Sequence, residues 1–293
     1  MFESIRDTVC NLAHIENFLA RRLLAEFIGT FFLLLIGTSA NVQHALDGSS
    51  LISPQIAWGI GFAFAVLCAA NTSGAHLNPA ISFTALLFRD LTVLEFALYA
   101  LVQIFGAFVG TAVAFLCHFD DIVKLGNGTL EVIGPSATAG LFATFPTAHI
   151  SVVGSFFDEL IGTAILAGVI SLIFDDRQCV EISVKPLMCG LTMTMIAMSF
   201  GSNGGFAINP ARDLGPRIFL LIAGYGWSIF SAHNWYFWIP LVAPMIGAFV
   251  GTSTYKLFIG MHGLEESVDI STSSYPRGTR ISRIGDDIQY PKY

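Results

Sequence analysis

The tripeptide Asn-Pro-Ala occurs twice in this chain, and each copy precedes an apolar stretch too short to cross a membrane. Asn is a favoured N-cap and Pro is favoured at the first helical position, so each copy predicts a helix start. The apolar stretches cover residues 81–88 and 212–222, whereas a spanning helix needs about 20 residues. The sequence therefore predicts two half-helices, which begin at Asn78-Pro79-Ala80 and Asn209-Pro210-Ala211.

Composition indicates that these half-helices belong to a membrane protein. Apolar residues make up 54% of the 293 residues and charged residues only 12%, against about 25% charged in soluble domains. Six stretches have the length of spanning helices. They are residues 23–41, 54–73, 93–117, 152–174, 186–201 and 237–258.

The distribution of Lys and Arg predicts the orientation. Most of these residues fall on one face if the six stretches are threaded through a membrane. By the positive-inside rule this face is cytoplasmic and carries both termini. We therefore predict tails over residues 1–20 and 261–293 and a membrane domain over 21–260. Its halves, 21–117 and 152–260, are joined by an outward-facing connection, 118–151.

The two halves repeat each other in sequence. Glu26-Phe27-Ile28-Gly29-Thr30 returns as Glu159-Leu160-Ile161-Gly162-Thr163, and Gly-Ala-Phe-Val-Gly-Thr begins at both Gly106 and Gly247. Each half has three spanning stretches, an odd number, so the second half must cross the membrane in the opposite sense. The glycines spaced by four in the repeated hexapeptide predict close helix contacts, which we expect between the halves.

In an inverted repeat, the two half-helices meet head to head at the middle of the membrane. Each N-terminal end carries about half a positive charge, which repels cations. The Asn side-chain oxygens can cap these ends, and we expect the amide hydrogens of Asn78 and Asn209 to face a polar lumen. If both amides donate to one water, they orient it and interrupt proton transfer along a file of waters.

These motifs resemble the aquaporin family, also called major intrinsic proteins, and its aquaglyceroporin subgroup. The resemblance implies an all-α membrane protein with six transmembrane helices plus two re-entrant half-helices in an inverted two-fold repeat. It also implies a homotetramer in the plasma membrane, with a pore in each subunit. The family's outer constriction has four positions, which here match Trp58, Ala197, Phe206 and Arg212. Water-selective members are similar to one another in carrying His at the position of Ala197 and a small residue at that of Phe206.

The chemistry of this set suits a polyol, which has hydroxyl groups along one edge and CH groups along the other. Arg212 can donate to two adjacent hydroxyl groups, while Trp58 and Phe206 can form an apolar corner. The resemblance further implies acceptor carbonyls in the loops before the half-helices, which we expect to be extended. These are the carbonyls of Gly74, Ala75, His76, Gly205, Phe206 and Ala207.

We therefore predict a passive channel, and not an enzyme, that conducts glycerol and other small neutral solutes with water and excludes protons and ions. Its predicted partners are glycerol, water, urea or similar solutes and the lipid bilayer, with no nucleic acid and no cofactor. A strictly water-selective channel is the main alternative. A coupled transporter also has broken helices at the midplane of an inverted repeat, and a structural membrane protein with a closed pore is a third interpretation.

Several polar residues within the membrane domain need a role. Glu26 and Glu159 occupy symmetric positions, which favours hydrogen bonds to the loop before each half-helix over proton transport. Asp213 lies in the first turn of the second half-helix, where it complements the dipole and can hold loop backbone. His76 is interpreted as a packing histidine, with pH sensing as the alternative. No catalytic set accompanies them.

Other predictions concern the periphery of the protein. Asn127-Gly128-Thr129 in the outward connection is an N-glycosylation acceptor. Ser282 in the C-terminal tail is a candidate phosphorylation site. The five cysteines show no paired spacing, so we predict neither a disulfide framework nor a metal site.

Overall fold

A computed structural model describes residues 14–262 of the 293. The predicted C-terminal tail, including Ser282, lies outside the described residues except at its first positions, as does most of the predicted N-terminal tail. Residues 14–262 contain helices and loops and no β-strand. The fold is that of an all-α membrane protein with two re-entrant half-helices, as the sequence predicted.

The main helices follow the two predicted halves. The first half contains α1 (Phe18–Asp47), α2 (Ile52–Ser73), α3 (Pro79–Leu87) and α4 (Val93–Cys117). A short α5 (Phe119–Leu125) opens the connection, and the second half contains α6 (Val152–Ile173), α7 (Lys185–Gly204), α8 (Pro210–Leu220), α9 (Ser228–Trp235) and α10 (Ile239–Tyr255). The half-helices α3 and α8 begin at the prolines of the two motifs.

Most of the long helices carry a clear membrane signal. Among the described residues, five helical segments are long and apolar enough to cross a membrane: Phe18–Asp47, Ile52–Ser73, Val93–Cys117, Val152–Ile173 and Ser228–Gly260. Helix α7 is the remaining predicted span and has 20 residues. Its ends carry Lys185, Ser202 and Asn203, which lower its mean hydropathy.

Local capping explains why several helices begin and end where they do. Helix α1 starts earlier and ends later than predicted, because the Asn17 side chain caps its first turn and Gly48 closes it in the left-handed conformation. Helix α4 begins with a capping box, in which Thr92 and Glu95 satisfy each other's backbone N–H groups. Polar capping residues thus extend the helices beyond the apolar stretches that the sequence predicts.

The repeated glycines pack helices together within each half, and the prediction that they join the two halves is wrong. A Cβ on Gly106 would lie 2.5 Å from the Phe27 carbonyl oxygen of α1, so α4 touches α1 backbone there. A Cβ on Gly247 would overlap the Leu160 carbonyl of α6. The first and third spanning helices of each half therefore pair closely, as small residues allow.

The outward connection is ordered and returns toward the centre. It contains the 3-10 turn Ala139–Leu141, after which Phe142, Ala143 and Thr144 are all buried. The stretch over 139–145 thus forms part of one end of the membrane domain, which we name the outer end after the predicted orientation. Sequence reasoning treated this stretch only as a loop.

Candidate pore

Each half-helix starts with the expected cap. The Asn78 side-chain oxygen accepts a hydrogen bond from Ala80 N at 2.8 Å, and Asn78 itself has an extended backbone. The Asn209 oxygen accepts from Ala211 N at 3.0 Å and from Arg212 N at 3.3 Å. Both Asn side chains are therefore fixed by the helix ends that they cap.

The two caps also bind each other's loops across the centre. Asn78 Nδ2 donates to the Ile208 carbonyl at 2.8 Å, and Asn209 Nδ2 donates to the Leu77 carbonyl at 2.8 Å. This corrects the expectation that all the amide hydrogens face the lumen. One hydrogen of each NH2 group ties the halves together, and one remains for a solute or water.

The loops that lead into the half-helices are alike in backbone conformation, and they are not extended. Positive φ angles occur at Gly74, Ala75 and Leu77 in the first loop (87°, 49° and 52°) and at Gly205, Phe206 and Ile208 in the second (88°, 41° and 42°). Left-handed conformations at non-Gly residues cost about 1–3 kcal/mol each. They persist only if the surroundings hold them.

Two buried carboxylates hold these loops. Glu26 accepts hydrogen bonds from the backbone N–H groups of His76 and Leu77, at 2.9 and 2.6 Å. Glu159 accepts from Ala207 N at 2.8 Å and Ile208 N at 2.7 Å. A backbone that alternates in handedness directs successive N–H groups to one anion, which here is a carboxylate of the protein.

The glycines in the repeated pentapeptides complete this arrangement, and sequence reasoning missed their role. One turn beyond Glu26, a Cβ on Gly29 would lie 2.5 Å from a methyl carbon of Leu77. One turn beyond Glu159, a Cβ on Gly162 would lie 3.1 Å from a methyl carbon of Ile208. Each pentapeptide therefore binds the loop backbone through Glu and leaves space for the loop side chain at Gly. The recurrence of Gly at the same place in both pentapeptides was the sequence signal that could have revealed this role.

Polar side chains surround the first loop. Glu26 also accepts from Ser73 Oγ at 2.6 Å and from Gln103 Nε2 at 2.8 Å. His76 Nδ1 lies 3.1 Å from Ser82 Oγ, and its ring packs edge-on against Tyr99 with centroids 5.3 Å apart. His76 thus has a hydrogen-bonding partner in Ser82 and a packing partner in Tyr99.

A cavity of about 270 Å³ opens at the outer end and is bordered by Trp58, Phe206 and Arg212. The Trp58 and Phe206 rings meet edge to face, with centroids 6.0 Å apart and planes at 83°. The Arg212 guanidinium carbon lies 4.6 Å from the centroid of the Trp58 ring. An apolar corner and a cation therefore border the cavity side by side.

Loop 139–145 orients Arg212. Its Nη1 donates to the Phe142 carbonyl at 2.8 Å. Its buried Nε has no hydrogen-bond partner among the described residues. A buried donor without a partner is unfavourable.

Asp213 and Arg217 form further hydrogen bonds that hold loop 139–145. Asp213 accepts from Thr144 N at 2.8 Å and from Thr144 Oγ1 at 2.6 Å. Arg217, which forms a buried ion pair with Asp213, donates to the carbonyls of Thr144 and Ile229. The role of Arg217 was not predicted, although its spacing of four residues from Asp213 is typical of a helical ion pair.

The fourth predicted filter residue, Ala197, is fully buried and does not border the outer cavity. Its carbonyl accepts a hydrogen bond from Gln55 Nε2 at 3.1 Å. One turn further along α7, Gly201 borders the cavity, and a Cβ there would lie 2.9 Å from the Phe206 ring. Gly201 therefore gives the Phe206 ring its space at the constriction.

A second cavity, of about 260 Å³, opens at the inner end and is bordered by Gly74, Ala75 and His76. Gly205 and Phe206 border the outer cavity in the same way, whereas Ala207 borders neither. The two loops thus face opposite cavities, with the Asn pair between them.

Charged side chains lie at the inner end. Lys256 Nζ lies 3.8 Å from the centroid of the Phe88 ring, and both residues border the inner cavity. Nearby, a hydrogen bond from Arg177 lowers the pKa of the Asp175 carboxyl below its usual value. Tyr255 OH donates to the same carboxylate at 2.8 Å, which links the end of α10 to the loop after α6.

One peripheral prediction can be located. Asn127 is exposed in the outward connection, and its Nδ2 donates to Ser136 Oγ at 3.0 Å. Within residues 14–262, no group of three or more His, Cys, Asp or Glu side chains is arranged to hold a metal ion.

Comparisons with known proteins agree with this architecture. A family model described as major intrinsic protein matches residues 12–255. Aquaporin-9 of Rattus norvegicus is 40% identical over 253 residues, covering 85% of each chain. Aquaporin-10 of Homo sapiens is 35% identical over 268 residues, covering 89% of each chain. A solved structure, the aquaglyceroporin from Plasmodium falciparum, is similar with a TM-score of 0.75 at 35% identity, covering 82% of this chain and 97% of that one.

Proposed function

This chain belongs to the major intrinsic protein family, and from that premise we propose that it is a passive channel for glycerol and other small neutral solutes together with water. The observation that carries the proposal is the outer constriction. A cation with an unsatisfied donor, Arg212, faces the edge-to-face rings of Trp58 and Phe206. A polyol has hydroxyl groups for the first wall and CH groups for the second.

The energetic basis is desolvation. A glycerol molecule that leaves water must replace lost hydrogen bonds, since an unmet hydroxyl costs about 1–3 kcal/mol on mutational scales. Arg212 and the free amide hydrogens of Asn78 and Asn209 are proposed as the donors on this path. The loop carbonyls of Gly74, Ala75, His76, Gly205, Phe206 and Ala207 are proposed as the acceptors. Burial of the CH edge against the two rings adds a favourable apolar contribution.

Exclusion of ions follows from the charges along the same path. Arg212 is buried beside the constriction, and the N-terminal ends of α3 and α8 each add about half a positive charge. Two unit charges 4 Å apart repel by about 4 kcal/mol at an effective dielectric constant of 20. For protons, the remaining amide hydrogens of Asn78 and Asn209 orient the central water and interrupt transfer along the file.

Further parts of the proposal concern the setting of the channel. We propose a homotetramer in the plasma membrane, with both termini cytoplasmic, Asn127 glycosylated and urea among the solutes. The membrane setting is supported by large apolar side chains exposed on the helices, such as Leu101, Phe105 and Phe249. These surfaces would contact lipid or neighbouring subunits.

Stopped-flow light scattering of proteoliposomes that contain the purified full chain tests the function. We expect glycerol permeability at least ten times that of empty liposomes, together with raised water permeability and no proton leak. A raised water permeability with glycerol at the background level would instead identify a strictly water-selective channel. Glycerol uptake that depends on an imposed ion gradient would identify a coupled transporter.

A further inference from the structure

Asn41, near the C-terminal end of α1, binds two parts of the outer constriction at once. Its Oδ1 accepts a hydrogen bond from Trp58 Nε1 at 3.1 Å. Its Nδ2 donates to the Leu141 carbonyl at 2.9 Å. The amide of Asn41 thus uses its acceptor on α2 and a donor on loop 139–145, which no apolar side chain of similar size could do.

The Leu141 contact leads directly to Arg212. The next residue along the loop, Phe142, is fully buried, and its carbonyl accepts from Arg212 Nη1 at 2.8 Å. A continuous chain of contacts therefore runs from the Trp58 ring through Asn41 and two loop residues to the guanidinium. Both walls of the constriction are fixed relative to the same amide.

Helix α1 also shapes the seat of the Trp58 ring. A Cβ on Gly37 would overlap the ring, so α1 backbone lies directly against it. Gly37 and Asn41 are four residues apart and share one face of the helix. One turn of α1 thus supports the ring face and binds its N–H group.

We propose that Asn41, which also borders the outer cavity, is a positioning residue for solute selectivity, which sets the spacing between Trp58 and Arg212 through its two hydrogen bonds. The proposal rests on the proposed function, since it concerns the same outer constriction. Without the amide, the indole N–H of a ring that is 1% exposed loses its partner, and loop 139–145 loses one of its ties. The ring and the guanidinium then depart from the spacing that suits a polyol.

The first test is Asn41→Leu, which keeps the side-chain size and removes both hydrogen bonds. We expect the ratio of glycerol to water permeability in proteoliposomes to fall about fivefold, the scale of one lost side-chain hydrogen bond. The matched control is Gln43→Leu, which removes an exposed amide two residues away that lies outside the outer cavity. Its ratio stays at the wild-type value. A ratio in Asn41→Leu within twofold of wild type would overturn the proposal.

A double-mutant cycle separates positioning from general damage. Trp58→Phe removes the indole N–H that Asn41 binds, so Asn41→Leu should lower the ratio less in that background than in wild type. Equal effects in the two backgrounds would show that Asn41 acts independently of Trp58 and would contradict the proposal.

A spectroscopic test does not depend on transport. The chain has four tryptophans, and replacement of Trp227, Trp235 and Trp238 by Phe leaves Trp58 as the sole indole emitter. We expect Asn41→Leu to raise acrylamide quenching of this emission and Gln43→Leu to leave it unchanged. Unchanged quenching in Asn41→Leu refutes positioning, even if the wild type carries glycerol. Raised quenching in a protein that passes only water would retain positioning and refute the proposed solute.

Discussion

The two loops that enter the half-helices have the same backbone but different surroundings. Positive φ angles fall at equivalent positions, and each loop donates two N–H groups to one carboxylate. Around the first loop, Ser73, Gln103 and Ser82 add polar contacts. Around the second loop, the added polar contacts run instead from Asp213 and Arg217 to Thr144.

This comparison shows which features of the loops the two halves share and which features differ between them. The shared part is the Glu and Gly of each pentapeptide, which hold the loop backbone in left-handed conformations whichever side chains the loop carries. The divergent part is what occupies the loop: Ala75 borders the inner cavity, and Phe206, its equivalent, borders the outer one. Within the loops, the aromatic side chain thus comes only from the second half, on a backbone common to both, and Trp58 of the first half completes the apolar corner.

The largest effect is expected from removal of the second carboxylate. Glu159→Ala leaves two buried N–H groups without an acceptor, at about 1–3 kcal/mol each. Glu26→Ala removes four hydrogen bonds but should cost less, because Ser73 Oγ keeps the Ala69 carbonyl and Gln103 Nε2 keeps Ser82 Oγ as acceptors. The buried Gln103 Oε1, which has no partner among the described residues, can turn to accept a loop N–H. Thermal unfolding in detergent checks this order. Asp120→Ala, on an exposed site, is the control, and a greater loss in Glu26→Ala would contradict the comparison.

The next effect concerns selectivity. Phe206→Ala removes one of the two rings of the apolar corner, and Ala197→His places a polar ring in the space that this opens, since both residues belong to one buried cluster. Glycerol permeability should then fall about tenfold while water permeability is retained. Parallel swelling measurements with water and glycerol check this. Equal losses for both solutes would argue against the assigned constriction.

A third variant transfers the aromatic side chain between the halves. Ala75→Phe places a ring at the position of the first loop that is equivalent to Phe206. The two positions have similar backbone angles, with a φ of 49° at Ala75 and of 41° at Phe206. The backbone therefore tolerates the substitution, and we expect the ring to reduce water and glycerol permeability together, about threefold or more, by filling the inner cavity. Folding is monitored by thermal unfolding, and an unchanged flux would indicate that the inner cavity does not limit passage.

The smallest effect is expected from Gln103→Leu. The substitution removes donors to Glu26 and Ser82, which should lower the free energy of unfolding by about 1 kcal/mol. The substitution also tests the role of Gln103 in a double variant. In the Gln103→Leu background, Glu26→Ala should lower the free energy of unfolding as much as Glu159→Ala does. If the cost of Glu26→Ala stays the same, Gln103 is not the spare acceptor.

The sequence predicted the fold because its signals are local or repeated. Apolar length predicted the spans, Asn-Pro-Ala predicted the half-helices, and the odd number of spans in each half predicted the inversion. The contacts of Glu26 and Glu159 could be expected from their symmetry alone.

What the sequence could not predict are contacts between distant segments without periodicity. The return of loop 139–145 to hold Arg212, and the pairing of Asn41 with Trp58, depend on how the helices pack. The cross-bonds of Asn78 and Asn209 were also missed, because a capping argument considers one helix at a time.

Those cross-bonds have a consequence for biosynthesis. The side-chain N–H group of each Asn donates to a carbonyl of the opposite half. The first half therefore cannot form this hydrogen bond while the ribosome is still translating the second half. We expect the middle of the protein to be the last part to become protected from hydrogen exchange as the nascent chain matures.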